Sequence, residues 1–371
     1  MMTRSFKALL FIGAVGIAMI LWRLYAGLGA TTAMSDGYPW GIWIAFDVVT
    51  GTALACGGYA VAILVYILNH GKYHPLIRPA ILTSALGYSI AGFSVVLDIG
   101  RWWNVWKVPL YVGRWNVNSV LLEVAVCIMA YTVVLWIELA PAILEKWPNS
   151  KLSKRMLPIL DKSLVWIAAL GIVLPTMHQS SLGSLMLLGG PKLHPLWNTS
   201  FLPLFYLTTC LAMGYSIVVF EAAFSSKMKR STETPMLASL QKIAVWAVFF
   251  FVLARFLDIA FRGQAAKIMT LDLYGVMFWI ETLLFLAPLA LMRGDLTSLI
   301  RGAALLIVAG ALYRFDTFLV AFDPGPGWHY FPSVPEIFIT LGLIALELAA
   351  YVFIVKTFPI LGGAQHEGEL S

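Results

Sequence analysis

LDIGR at Leu97–Arg101 and LDIAFR at Leu257–Arg262 are nearly the same phrase, separated by about 160 residues. Each closes a long apolar run, and each is followed by another run carrying a carboxylate, Glu123 or Glu281, in its first third. A second echo, CGGYAV at Cys56–Val61 against AMGYSI at Ala212–Ile217, falls in the same order at nearly the same offset. The repetition predicts an all-α polytopic membrane protein built as two four-helix bundles plus two extra helices. Four helices per unit is an even number, so the units have parallel topology, related by an axis along the membrane normal.

Composition supports this reading. Of 371 residues, 60% are hydrophobic and only 12% charged, with a mean hydropathy of +0.84, whereas soluble domains run nearer half apolar and a quarter charged. Ten stretches are long enough to span, at about 8–30, 40–68, 79–99, 117–140, 162–178, 200–222, 238–259, 275–292, 301–320 and 334–355. The organisation reads as a first helix in 1–37, a first four-helix repeat in 38–199, a second in 200–330, and a last helix with a tail in 331–371. Lys and Arg concentrate in the loops on one side, among them Arg78, Lys151, Lys154, Arg155 and Lys229, which makes both termini cytoplasmic. The formal charge of +6 is this topological bias and calls for no nucleic-acid partner. Ala8–Leu28 is long enough to be retained as a helix rather than cleaved as a signal.

Chemistry is sought among polar groups in the spans, because a charge in the bilayer needs a partner or a function. Asp98 and Arg101 lie three apart at a helix end and are expected to pair, as are Asp258 and Arg262, with Arg255 as a further partner. Asn116, Ser119 and Glu123 share a face by their spacing, a polar stripe suited to a head group that carries carbonyl oxygens and needs protons. Asn118 lies in the same stretch. Asp47, about two turns into the second span, is placed to face the same region. Trp40 and Trp43 stand apart from the interfacial tryptophan belt, because the helix there opens at Pro39 and leads to Asp47. His178, in PTMHQSS after Pro175, falls at the outer end of the fifth span, and Glu138, Glu221 and Glu347 lie toward the cytoplasmic ends. Cys56, Cys127 and Cys210 all fall inside spans with no CxxC, which argues against an iron–sulfur cluster or zinc in this chain. No two histidines face each other at mid-membrane depth, so no haem and no metal site are expected.

The phrases FDVVTGTALACGGYA (46–60), KYHPLIRPA (72–80), LDIGRWWN (97–104), NVNSVLLEVAVC (116–127), PTMHQSSLGSLM (175–186), HPLWNTSFLPLF (194–205), YGVMFWIE (274–281) and VAFDPGPGWHYFP (320–332) resemble the membrane subunits of hydrogenase-2-type nickel–iron hydrogenases, within the wider NrfD and polysulfide-reductase membrane-subunit family. The resemblance runs from Tyr38 to about Leu361. It implies a quinone-reactive anchor in the bacterial inner membrane, docked on its periplasmic face to a ferredoxin-like iron–sulfur subunit and to the small and large hydrogenase subunits. The chain would pass electrons to menaquinone or ubiquinone with proton uptake, and hydrogen would be split in the partner. On this reading Trp40, Arg101, Asn118 and His178 are the candidate quinone ligands, Asp47, Asp98 and Glu123 the candidates for proton delivery, and Glu138, Asp258 and Glu281 candidates for a proton path. A secondary transporter, favoured by the repeat and the intramembrane charges, and a purely structural anchor are the competing expectations. Spans interrupted near mid-membrane, a transporter feature, are not prominent in the sequence.

Overall fold

Apolar runs form the helices, and short polar side chains fix where several of them begin. The computed structural model describes residues 3–229, 234–291 and 294–360, with the side chains of 225–229 excluded. It contains ten helices long and apolar enough to cross a membrane: α1 Arg4–Ala26, α2 Trp43–Ile67, α3 Gly71–Asp98, α4 Val120–Leu144, α5 Lys151–Leu187, α6 Leu202–Phe224, α7 Thr234–Phe261, α8 Leu273–Leu291, α9 Leu296–Val320 and α10 Val334–Thr357. The protein is therefore an all-α polytopic membrane protein. Among the described residues no strand forms, only one antiparallel bridge between Leu193 and Phe322. Ser119, Ser150, Asp272 and Asp295 each accept a backbone N–H at the start of α4, α5, α8 and α9. Ser333 and Glu336 form a reciprocal capping box on α10. We call the face from which α1 starts the inner face and the opposite one the outer face.

Neighbours in sequence are neighbours in space: α2 to α5 pack consecutively, as do α6 to α9, and α1 lies along α10. The axial helix is α2, with 78% of its apolar window buried against 17% for α1 and 11% for α5. It touches both α6 and α9 and so joins the two halves. The echoed glycine motifs meet at this joint. A Cβ on Gly214 would lie 2.7 Å from the carbonyl oxygen of Cys56, so only glycine allows α6 to come this close to α2.

Three boundaries differ from expectation, each for a local reason. First, α2 is interrupted: Ala55 and Cys56 leave helical geometry, and the turns on either side, Trp43–Thr50 and Ile63–Ile67, are π-helical. Second, α5 runs 37 residues and continues through Pro175 to Leu187. The polar run after Pro175 reads as a loop by hydropathy, but Thr176, Ser181 and Ser184 return their hydroxyls to carbonyls four residues back and keep the helix satisfied. Third, α4 begins only at Val120, so Asn116 and Asn118 lie in the turn before it and the expected stripe does not descend along a helix.

Candidate functional site

The outer end of α3 carries the first group. Asp98 is the last residue of α3, and Ile99 is already extended. The helix rotation that would bring Arg101 back over Asp98 is absent; Arg101 is exposed and the expected Asp98–Arg101 pair is not formed. Arg23 of α1 takes that place. Fully buried, it donates from Nε to Leu97 O at 2.7 Å and from Nη2 to Ile99 O at 2.9 Å, so it caps the carbonyl end of α3 and is a charged neighbour of Asp98. The other charged neighbour of Asp98 is Glu336, which is fully buried. Glu336 accepts Tyr330 Oη–H at 2.8 Å and the backbone N–H groups of Ala33 and Ser333 at 2.9 Å each. In this setting Ser94 Oγ, Asp98 Oδ1 and Trp102 Nε1 are buried and without a partner. Buried polar atoms are normally satisfied, so these atoms, two of them one turn apart at the end of α3 and the third in the segment after it, are candidates for contact with an additional polar group.

Asp47, from the π-helical turn of α2, faces this group from below. It is buried, and Thr340 of α10 donates to its Oδ2 at 3.0 Å. The Ser94 hydroxyl lies beside the same carboxyl and can turn its proton toward it. Further carboxyls follow toward the inner face. Glu347 of α10 is the charged neighbour of Asp47, Glu221 of α6 is the next neighbour of Glu347, and Thr83 donates to both Glu221 oxygens at 3.0 Å. Glu138 stands apart on α4, half-buried, over Gly171 of α5.

His178 belongs to a second group at the joint between the halves. It is not at a helix end. Its Nε2 lies 3.2 Å from Thr52 Oγ1, to which Gln179 Nε2 donates at 3.0 Å. Arg314 of α9 donates to Gln179 Oε1 at 3.2 Å, to Thr209 Oγ1 at 2.8 Å and to Tyr206 O at 2.8 Å. Thr52, His178, Gln179, Thr209 and Arg314 are all fully buried. Neutral oxygens from α5 and α6 thus hold one guanidinium, and the ring of Tyr206 lies 4.9 Å beneath it.

The second copy of the repeated phrase forms the ion pair expected of it. Arg262 pairs with Asp258 at 2.7 Å and donates to Pro195 O and Asn198 O, while Thr199 donates to Asp258 Oδ1. Arg255 pairs with Glu281 at 2.6 Å. Trp197 Nε1 donates to the other Glu281 oxygen at 3.1 Å, and the Phe278 ring packs 4.5 Å from the guanidinium. Asp316 on α9, unrecognised from sequence, is buried nearby with its carboxyl beside that of Glu281.

The remaining candidates are dispersed. Trp40 donates from Nε1 to Phe318 O of α9 at 3.0 Å and packs at a tilt against Phe322, so it ties the start of α2 to the second half. Asn118 is exposed and Glu123 is half-buried at the first turn of α4. Beside them the α3–α4 loop and the start of α4 form a shallow, open surface hollow lined by Lys107, Tyr111, Arg114, Trp115 and Asn116. Arg23, Arg314 and Glu336 escaped notice in the sequence. The signal for the two arginines was there, since a lone arginine inside an apolar run is seldom idle.

With ten spans and a buried polar set at the outer end of the first half, the molecule is a polytopic membrane protein with a candidate site inside its helix bundle. Residues 30–323 match the model of the NrfD family, described as polysulphide reductase, NrfD, and the chain belongs to that family. It is 43% identical over 356 residues to the probable Ni/Fe-hydrogenase 2 b-type cytochrome subunit of Escherichia coli strain K12, covering 92% of this chain and 88% of that protein. It is also 32% identical over 367 residues to a protein of Nitratidesulfovibrio vulgaris, covering 94% of this chain and 92% of that one. To the integral membrane subunit of menaquinone reductase from the same organism it is 31% identical over 256 residues, 64% of this chain and 59% of that protein.

The name of the E. coli relative implies haem. Among the described residues only His178 is a buried histidine; His70, His74 and His329 are exposed, and His194 stacks on Tyr274 at 4.1 Å outside the spans. Among the described residues no second histidine faces His178, so they do not fit a bis-histidine haem.

Proposed function

We propose that this chain is the quinone-reactive membrane subunit of a periplasm-facing nickel–iron hydrogenase complex in a bacterial inner membrane, with both termini cytoplasmic. The observation that carries the reading is the run of buried polar groups at the outer end of α3, with Ser94 beside the buried Asp47 and with Asp98 Oδ1 and Trp102 Nε1 unpartnered. Ser94 O–H and Trp102 N–H offer two donors to a carbonyl oxygen, and Asp98 and Asp47 are two carboxyls at hand for protons. Quinone reduction consumes two electrons and two protons. The electrons come from the clusters of a ferredoxin-like subunit fed by the small and large hydrogenase subunits, which split hydrogen. The first four-helix unit, 38–199, carries this site, and the basic, aromatic loop around Lys107 and Arg114 belongs to the docking face. Asp47, Glu347 and Glu221 provide a route for protons from the inner side, with Glu138 a second inner carboxyl. His178, tied to Thr52 and through Gln179 to Arg314, couples the site to the second half. Asp258 and Glu281, engaged by Arg262 and Arg255, serve to hold that half together.

The interruption of α2 is the feature that would suit a transporter. Its residues Ala53, Ala55 and Cys56 are buried, and the interruption serves the close packing of α2 against α6. Photolabelling of the assembled complex with an azidoquinone tests the site. Label in the peptides spanning 43–50 and 94–104, lost with Ser94→Ala plus Trp102→Phe, supports it. Label confined to peptides around Glu281 contradicts it.

A further inference from the structure

A cavity opens at the opposite end of the molecule, where the inner ends of α7, α8 and α9 converge. Its volume is about 360 Å³, and its wall includes Ser239, Gln241, Lys242, Pro288, Leu299 and Gly302. Gln241 is only 5% exposed, yet neither its Oε1 nor its Nε2 has a partner. A buried primary amide with all its hydrogen bonds unmade costs several kcal/mol in an apolar setting, so this amide is built for something that enters. Gly302 makes the room: a Cβ there would meet Gln241 Nε2 at 3.2 Å.

Charge at the mouth indicates the class of ligand. Lys242 is exposed next to Gln241. Lys72, from the turn that opens α3, donates to Ser239 Oγ at 3.1 Å, and Tyr73 Oη lies 2.9 Å from the same oxygen. The Lys72 ammonium therefore reaches the hydroxyl on the cavity wall, and Lys242, also on that wall, follows Ser239 by three residues on α7. The neighbouring Asp295 is committed to capping α9 through the N–H and hydroxyl of Ser298. Gln241 lies about two turns, roughly 10 Å, in from the start of α7, at the depth where head groups meet acyl chains. Pro288 and Leu299 make the rest of the wall apolar.

We propose that this cavity binds one anionic phospholipid of the inner leaflet. Its phosphate lies between Lys72 and Lys242, and a head-group hydroxyl, as in phosphatidylglycerol, takes up the donor and acceptor of Gln241. The acyl chains leave along the apolar wall. The site lies on the face opposite the quinone region and is independent of the quinone reading.

The test uses the full-length chain in its complex, delipidated in neutral detergent and titrated with phosphatidylglycerol, with phosphatidylcholine of the same chain length, and with inorganic phosphate; bound lipid is counted by native mass spectrometry. The expected result is one retained phosphatidylglycerol, bound at least about tenfold more weakly by Gln241→Leu and by Lys242→Met, with no comparable phosphatidylcholine. Lys242 is exposed, so Lys242→Met keeps the test valid if Gln241→Leu fails to fold. Equal binding of the two lipids, or unchanged binding in Lys242→Met, overturns the proposal. Saturation by inorganic phosphate that displaces the lipid overturns the lipid assignment and makes the site one for a soluble anion.

Discussion

Replacing Arg23 by Met should disable the protein far more than replacing Arg101 by Gln, although Arg101 belongs to the repeated phrase and Arg23 does not. Arg23 makes two charged hydrogen bonds, at 2.7 and 2.9 Å, to the last carbonyls of α3. Hydrogen bonds to charged groups contribute about 1.5–3 kcal/mol each, so their loss costs about 3–6 kcal/mol. The freed carbonyls of Leu97 and Ile99 are then left at a helix end without a cap. Arg23→Lys, whose ammonium lacks the planar fork, should lose about half as much. Arg101 is exposed and forms no ion pair, so Arg101→Gln should fall within about 0.5 kcal/mol of wild type. Unfolding in mixed micelles against SDS, followed by tryptophan fluorescence, gives the stabilities. The ratio of hydrogen-dependent quinone reduction to hydrogen-dependent dye reduction gives the effect on the outer end of α3. A stable, quinone-active Arg23→Met beside an inactive Arg101→Gln would refute the assignment of the Asp98 counter-charge to Arg23.

Glu281→Gln leaves the Arg255 guanidinium, 4% exposed, without its carboxylate, and should destabilise the chain by about 3–5 kcal/mol; the paired variant Arg255→Met/Glu281→Leu should recover part of this, and an equal loss in both would count against the ion pair. Gly214→Val forces a side chain against the Cys56 carbonyl, where even a Cβ comes to 2.7 Å, and should cost at least about 1–3 kcal/mol; unchanged SDS resistance would show that the two halves do not meet there. Burial, aided by Lys267 and opposed by Asp272, holds His194 below the ordinary histidine value of 6.5. The folded state therefore binds fewer protons than the unfolded one, and this contribution to the outer segment is fully present above 6.5 and lost as pH falls below it. Hydrogen exchange across 191–198 should rise on acidification in wild type and much less in His194→Phe, which keeps the stack on Tyr274; identical profiles would remove His194 as the cause.

Most of the fold was legible because a bilayer allows few solutions: long apolar runs must be helices, and ten were read and ten are present among the described residues. The repeated motifs carried real information, since CGGYAV and AMGYSI mark the crossing of α2 and α6. What hydropathy could not convey was depth and partnership. The run after Pro175 reads as a loop because it is polar, yet its hydroxyls bond back along α5 and bury His178 at the joint. The Asp98–Arg101 spacing implies a pair only while the helix continues, and it stops at Asp98. Contacts between residues as distant as Arg23 and Leu97, or Gln179 and Arg314, have no local signature beyond a lone charge in an apolar run.

The central claim is that the outer end of α3 is where quinone and protons meet, and Asp98→Asn tests it most directly. The substitution keeps size and burial but removes the acid one turn on from Ser94 at the end of α3. Membranes carrying the assembled complex should lose hydrogen-dependent quinone reduction by about 10²-fold or more while hydrogen-dependent dye reduction is retained. Quinone reduction at the wild-type rate, with dye reduction equally intact, would contradict the account.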